Sequence, residues 1–101
     1  MNRLVLLAQL VETGAMRYTP AGLPALDLSL KHESQVTQAG APRQVSLELK
    51  AVAIGDITKR LITLELGSTA TFAGFLGGRR NGRGIVFHVT EFESEPKAAS
   101  S

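Results

Sequence analysis

Thr71 to Glu93 reads TFAGFLGGRRNGRGIVFHVTEFE, two β-rich runs joined by a basic, glycine-rich loop. Phe72, Phe75 and Leu76 in the first run, and Ile85, Val86, Phe87 and Val89 in the second, are residue types that fit a pleated, half-buried surface. Between them Gly77, Gly78, Gly82 and Gly84 interrupt the strand pattern, and Asn81-Gly82 is a strong hairpin-turn dipeptide. The loop therefore projects. It carries Arg79, Arg80 and Arg83 within five positions and no acid. Guanidinium groups on a projecting tip have the charge, reach and forked donors that phosphate oxygens accept. The competing reading is a solvated hairpin tip kept basic for solubility, and the loop alone does not separate the two.

Working outward, Asn2 to Glu12 is apolar on both sides, with Leu4, Leu6, Ala8 and Leu10 on one and Val5, Leu7 and Val11 on the other. That pattern predicts a central barrel strand buried on both faces, and it is equally compatible with pairing across a two-fold axis. Thr13 to Met16 breaks the run, and Arg17 to Pro24 reads as a turn region. Ala25 to Ser34 alternates Leu26, Leu28 and Leu30 with Asp27, Ser29 and Lys31, one face buried and one wet. Gln35 to Pro42 reads as a polar loop. From Arg43 a third run alternates Val45, Leu47, Leu49 and Ala51 with Ser46, Glu48 and Lys50. Asp56 is placed to cap a helix, and Ile57 to Leu66 satisfies helical and strand spacing alike. Residues 1–95 thus read as one domain, and Pro96 to Ser101, with nothing to bury, as a disordered tail.

Five strands with turn signals between them, and a longer connection only between the third and fourth, predict an all-β protein. The best architecture is the OB-fold, a five-stranded Greek-key barrel, with an SH3-like barrel or a sandwich as alternatives. One hundred and one residues bury one core. The absence of cysteine removes disulfides, thiolate zinc sites and thiol catalysis. The first apolar run is broken by Gln9 and Glu12 before it resembles a signal peptide or membrane span, so a cytoplasmic protein without membrane contact is expected.

Catalysis finds little support. His32 and His88 lie on separate strands with no ligand set at metal spacing, no serine sits in a nucleophile elbow, and the Gly77 to Gly82 segment lacks the lysine and helix of a P-loop. Both histidines read as packing or capping residues, and no metal or cofactor is expected. Binding finds more. The net charge is only +2, but Glu91, Glu93 and Glu95 crowd the end and leave the preceding loops basic. On an OB barrel Arg17, Lys31, Arg43, Lys50, Arg79, Arg80 and Arg83 would fall on one side, a groove of the sort that tracks a single-stranded backbone. Tyr18 is the one aromatic in a polar loop; Phe72 and Phe87 read as core, and Glu33 and Glu48 interrupt the basic face. A groove with a single ring leans on electrostatics and weakens steeply with salt.

Several short segments then become recognisable in order. Asn2-Arg3-Leu4-Val5-Leu6, Tyr18-Thr19-Pro20-Ala21-Gly22-Leu23-Pro24, Leu30-Lys31-His32-Glu33-Ser34, Ala39-Gly40, Arg43-Gln44, Gly67-Ser68, Phe72-Ala73-Gly74-Phe75, Asn81-Gly82 and His88 together resemble the primosomal replication protein N family. These are small OB-fold relatives of bacterial single-stranded DNA-binding protein. The resemblance implies a homodimer that binds single-stranded DNA and bridges the restart helicase to later primosome components at stalled forks. It matches the family's basic hairpin to Arg79, Arg80 and Arg83 and its basic first loop to Arg17. Where better-known members carry an aromatic on strand three and another just before it, this chain has Ser46 and Ala41, and where they read Glu-His-Arg it has Lys31-His32-Glu33. The alternative is a protein-interaction barrel that docks a helicase with little or no DNA binding.

Overall fold

A computed structural model describes residues 1–79 and 82–94. In chain order the elements are β1 (Leu4–Thr13), β2 (Arg17–Tyr18), β3 (Pro24–Gln38), β4 (Ala41–Ile54), α1 (Ile57–Leu61), β5 (Thr69–Gly78) and β6 (Ile85–Ser94). Hydrogen-bonded neighbours run β1-β5-β6-β4-β3-β2, and β1 pairs again with β3, so the five long strands close into a barrel. Every pairing is antiparallel except β4 with β6, which meet in parallel at Ala51↔Phe87 and Val52↔His88. This is the five-stranded OB barrel that the strand order predicts.

The interior is built by the period of two. Leu26, Leu28 and Leu30 of β3, Ala51 and Ala53 of β4, Ala8 and Leu10 of β1, and Ala70 of β5 surround the fully buried rings of Phe72 and Phe87. The alanines are the counterpart of those rings: small residues on facing strands make room for large ones. Leu61 of α1 plugs one end. The five-residue helix resolves the ambiguity of the 57–66 stretch, which continues past Leu61 in turns. Asp56 stands at the cap position but makes no side-chain bond to the helix; the Thr58 hydroxyl donates instead to the Gly55 carbonyl at 2.7 Å.

Other expectations are corrected. Residues 35–42 are not a loop. The β3 and β4 ladder runs from Ala25↔Ile54 to Gln38↔Ala41, and only Ala39 and Gly40 turn, both at positive φ. That backbone is the hairpin turn whose twist matches the strands. An Ala at its first position hides it from a search for Asn-Gly or Asp-Gly. The two strands leave the barrel as an exposed ribbon, so the polar sequence marks a solvated arm rather than irregular backbone. Arg17 and Tyr18 likewise form the short β2 paired with Ala25 and Pro24, where a turn is expected.

The first strand is not buried on both sides. Leu6, Ala8 and Leu10 face inward, whereas Val5 and Leu7 are 54% and 48% exposed. Leu10 N–H donates to Ser68 O and its carbonyl accepts from Gly67 N–H, so even-numbered residues of β1 turn their backbone toward β5. Odd-numbered residues turn to the other edge. Gln9 meets Lys31 of β3 there, but β3 then diverges, and the Leu7 carbonyl accepts instead from the His32 ring at Nδ1, 2.7 Å away. Beyond that cap the edge at Val5 and Leu7 lies open.

The hairpin of β5 and β6 shifts register between Ala73 and Gly74. A Cβ on Gly74 would lie 1.8 Å from the His88 carbonyl oxygen, a backbone atom that cannot swing aside. Only glycine lets the two strands approach here. We expect Gly74→Ala to lower stability by about 1–3 kcal/mol, read as a shift in the urea midpoint, while the same change at open Gly78 costs less than half as much.

Candidate nucleic-acid interface

The outer face of the sheet is laid out by register. Asp27 of β3 pairs with Val52 of β4, Val52 with His88 of β6, and His88 with Phe75 of β5. Alternation turns all four side chains away from the core, giving a transverse row. Arg17 of β2 joins one end, its Nε and Nη2 donating to the two Asp27 carboxylate oxygens at 3.1 and 3.0 Å. That fork, with the carboxylate charge beside it, raises the Arg17 pKa above its ordinary value. Both partners are more than half exposed, so the pair is worth at most about 1 kcal/mol. Its consequence is local: much of the Arg17 charge is answered before any ligand arrives.

Over this row lies an open groove of about 660 Å³, lined at one lip by Arg17, Tyr18 and Pro20, on the floor by Val52, Ile54, Val86 and His88, and at the other lip by Gly78 and Arg79. Tyr18 is 68% exposed. Arg79 also borders a second hollow of about 670 Å³ with Lys50, Arg83, Gly84 and Leu47. Arg79 lines both hollows, which lie between Tyr18 and the base of the β4 arm. Arg79 N–H donates to Gly84 O, closing the hairpin neck beneath it.

The structure therefore gathers Arg17, Tyr18, Lys50, Arg79 and Arg83 of the sequence-expected residues. Lys50 also donates from Nζ to the Ser29 hydroxyl at 2.9 Å, which anchors it to the sheet. Two residues are not gathered. Lys31 faces a separate hollow beside Leu7 and Gln9, 3.8 Å from the Glu33 carboxylate. Arg43 lines neither hollow; its Nε donates to Gln38 Oε1 at 3.1 Å near the tip of the β3-β4 arm. Arg80, Asn81 and the tail from Pro96 lie outside the described residues.

Sequence reasoning missed the floor. Phe75 is 41% exposed and stacks on the His88 ring, centroids 4.7 Å apart and planes within 5°. Phe92, by contrast, sits half-buried against Phe72, with the Arg60 guanidinium 4.6 Å from its ring. The available signal was alternation: Val86 and His88 interleave with buried Phe87 and Val89, so they face out. Among the described residues no group of histidines and acids is placed to hold a metal, and no helix is long and apolar enough to cross a membrane.

A family described as "another single-strand binding protein family" matches residues 2–91. Among curated relatives, replication restart protein PriB of Bordetella pertussis is 52% identical over 92 residues, covering 90% of this chain and 86% of the relative. The Nitrosomonas europaea protein of the same name is 30% identical over 91 residues, covering 89% and 84%. Among solved structures, PriB from Ralstonia solanacearum superposes with a TM-score of 0.88 at 34% identity, covering 95% of this chain and 99% of that one. The single-stranded DNA binding protein of Thermus aquaticus shares the fold, with a TM-score of 0.76 at 23% identity over 97% of this chain and 52% of that one. With the barrel order, the matched residues and these relatives in agreement, the chain belongs to the single-strand binding protein family, in its replication restart protein PriB group.

Proposed function

We propose that this protein is a non-enzymatic accessory factor of replication restart that binds single-stranded DNA along the lane between Tyr18 and the β5-β6 hairpin. The observation that carries the reading is that Arg79 borders both hollows, with Arg17 lining one and Lys50 and Arg83 the other. A single strand presents phosphates at a spacing such a run of cations can follow, and its bases, unlike those of a duplex, are free to turn toward the apolar floor of Val52, Ile54 and Val86. Arg80 belongs to this set by sequence. Lys31 and Arg43 are assigned no part in the lane.

Filter binding of an unstructured oligonucleotide at two salt concentrations tests the reading. Each lost phosphate contact lowers the slope of log affinity against log salt by about 0.7 for a single strand. Changing Arg79, Arg80 and Arg83 together to Ala is expected to lower it by about 2. A triple variant that binds as well as the parent removes the hairpin as the phosphate contact. Asp27→Asn, which frees Arg17 and deletes a negative charge at the lip, is expected to raise affinity about threefold at low salt, and the gain should shrink as salt screens it.

The working unit we propose is a homodimer. The open edge of β1 offers the Val5 backbone groups and the Leu7 N–H to a second strand, and the exposed side chains of both residues supply apolar area for the same contact. Antiparallel β1 strands can pair about a two-fold axis, making the contact self-complementary. Sedimentation at micromolar concentration should give twice the chain mass for the parent and the single mass for Leu7→Lys; a monomeric parent ends the proposal. In restart the protein would act in the cytoplasm, on forked DNA, bridging the restart helicase to later primosome components. Stimulation of that helicase on a forked substrate is the corresponding assay, and no effect on unwinding or on helicase retention would count against it.

A further inference from the structure

His88, which lines the groove, and Phe75, stacked on it, do something the other groove residues cannot. Val52, Ile54 and Val86 give the floor an apolar surface but no flat one, and Tyr18 stands alone at a lip. The imidazole and phenyl rings are parallel, in face-to-face contact and partly open to solvent. The pair sits beside Arg79 rather than in the core. Neither His88 ring nitrogen bonds any described residue, unlike His32, whose two nitrogens are taken up by Leu7 O and Ser34 Oγ. The ring is also made room for: a Cβ on Gly77 would come within 3.0 Å of His88 Nε2 and 3.1 Å of its Cδ2. Glycine at that position lets the imidazole lie down on β5 against Phe75.

We infer that the Phe75–His88 pair is the base-stacking wall of the groove, the surface on which an unpaired nucleobase rests while Arg79 holds a neighbouring phosphate. This deepens, and rests on, the proposal that the lane binds single-stranded DNA. A base is a flat, polarizable ring; it gains most against another flat ring, and every base has such a face, so the site is indifferent to sequence. Backing the imidazole with a phenyl ring stiffens it and extends the apolar area. β4 carries no aromatic residue, so the flat surface on this face comes from β5 and β6.

The test separates base from phosphate. Full-length protein is titrated with an oligothymidylate and with an abasic oligomer of the same length, which keeps every phosphate and lacks every base. Binding is followed by filter retention and by the emission of Tyr18, the chain's one tyrosine in the absence of tryptophan. The parent should prefer the oligothymidylate by about five- to a hundredfold, the range of one stacked base. Phe75→Leu and His88→Ala should each erase most of that preference while leaving abasic binding and its salt slope intact, and His88→Phe should restore what His88→Ala loses. Phe75→Leu keeps an apolar side chain at an exposed strand position, and thermal melting checks that it folds. Parental preference in both Phe75→Leu and His88→Ala overturns the wall while leaving the phosphate lane standing. A parent that retains neither oligomer overturns the lane as well.

Discussion

The parallel contact between β4 and β6 is the constraint on which the rest of the molecule depends. It is only two residue pairs long, Ala51↔Phe87 and Val52↔His88, yet it turns an open antiparallel sheet into a closed barrel. One pair faces in and the other faces out. Inside, an alanine meets a phenylalanine and the core fills; outside, a valine meets a histidine and the groove acquires its floor. The same two rungs therefore position the hydrophobic interior and the surface lane, and neither can shift by one residue without exchanging the two faces.

The other strands adjust to that closure. Three strands yield where the barrel must bend: β5 and β6 slip register at Gly74, where backbones touch, and β1 divides its length between β5 and β3. The division has a surface consequence. Where β3 turns away, His32 satisfies one freed carbonyl, and the remaining backbone of Val5 and Leu7 is left as an open edge carrying two apolar side chains. Native sheets rarely leave such an edge without a use. Meanwhile β3 and β4, no longer held by the barrel, continue as a ribbon that extends the outer face away from the body.

Charge follows geometry in the same way. A net charge of +2 says little, because what matters is which cations already have partners. Arg17 is forked onto Asp27, Lys31 lies near Glu33, and Arg43 donates to Gln38. Among the described residues Arg79 is held by no side-chain bond or ion pair, and it stands where the two hollows meet. The position of one unanswered guanidinium at that junction matters more to the lane than the total.

Alternation is a local property, so where it is clean the sequence by itself determined which residues face in and out: Leu26, Leu28 and Leu30 inside, Asp27 and Ser29 outside, and Phe72 and Phe87 in the core. Strand order and the length of connections were enough to reach the OB barrel, and the basic tip of the last hairpin was legible as a cluster of arginines in a glycine-rich turn. Tertiary structure alone decided which strands touch and therefore what stands beside what. No local pattern couples Phe75 to His88, Arg17 to Asp27 or Leu7 to His32, because each pair is made by register between separate strands. The same holds for the exposure of Val5 and Leu7: an apolar side chain has one hydrophobicity in the sequence, and only the closed barrel determines whether another strand remains to cover it.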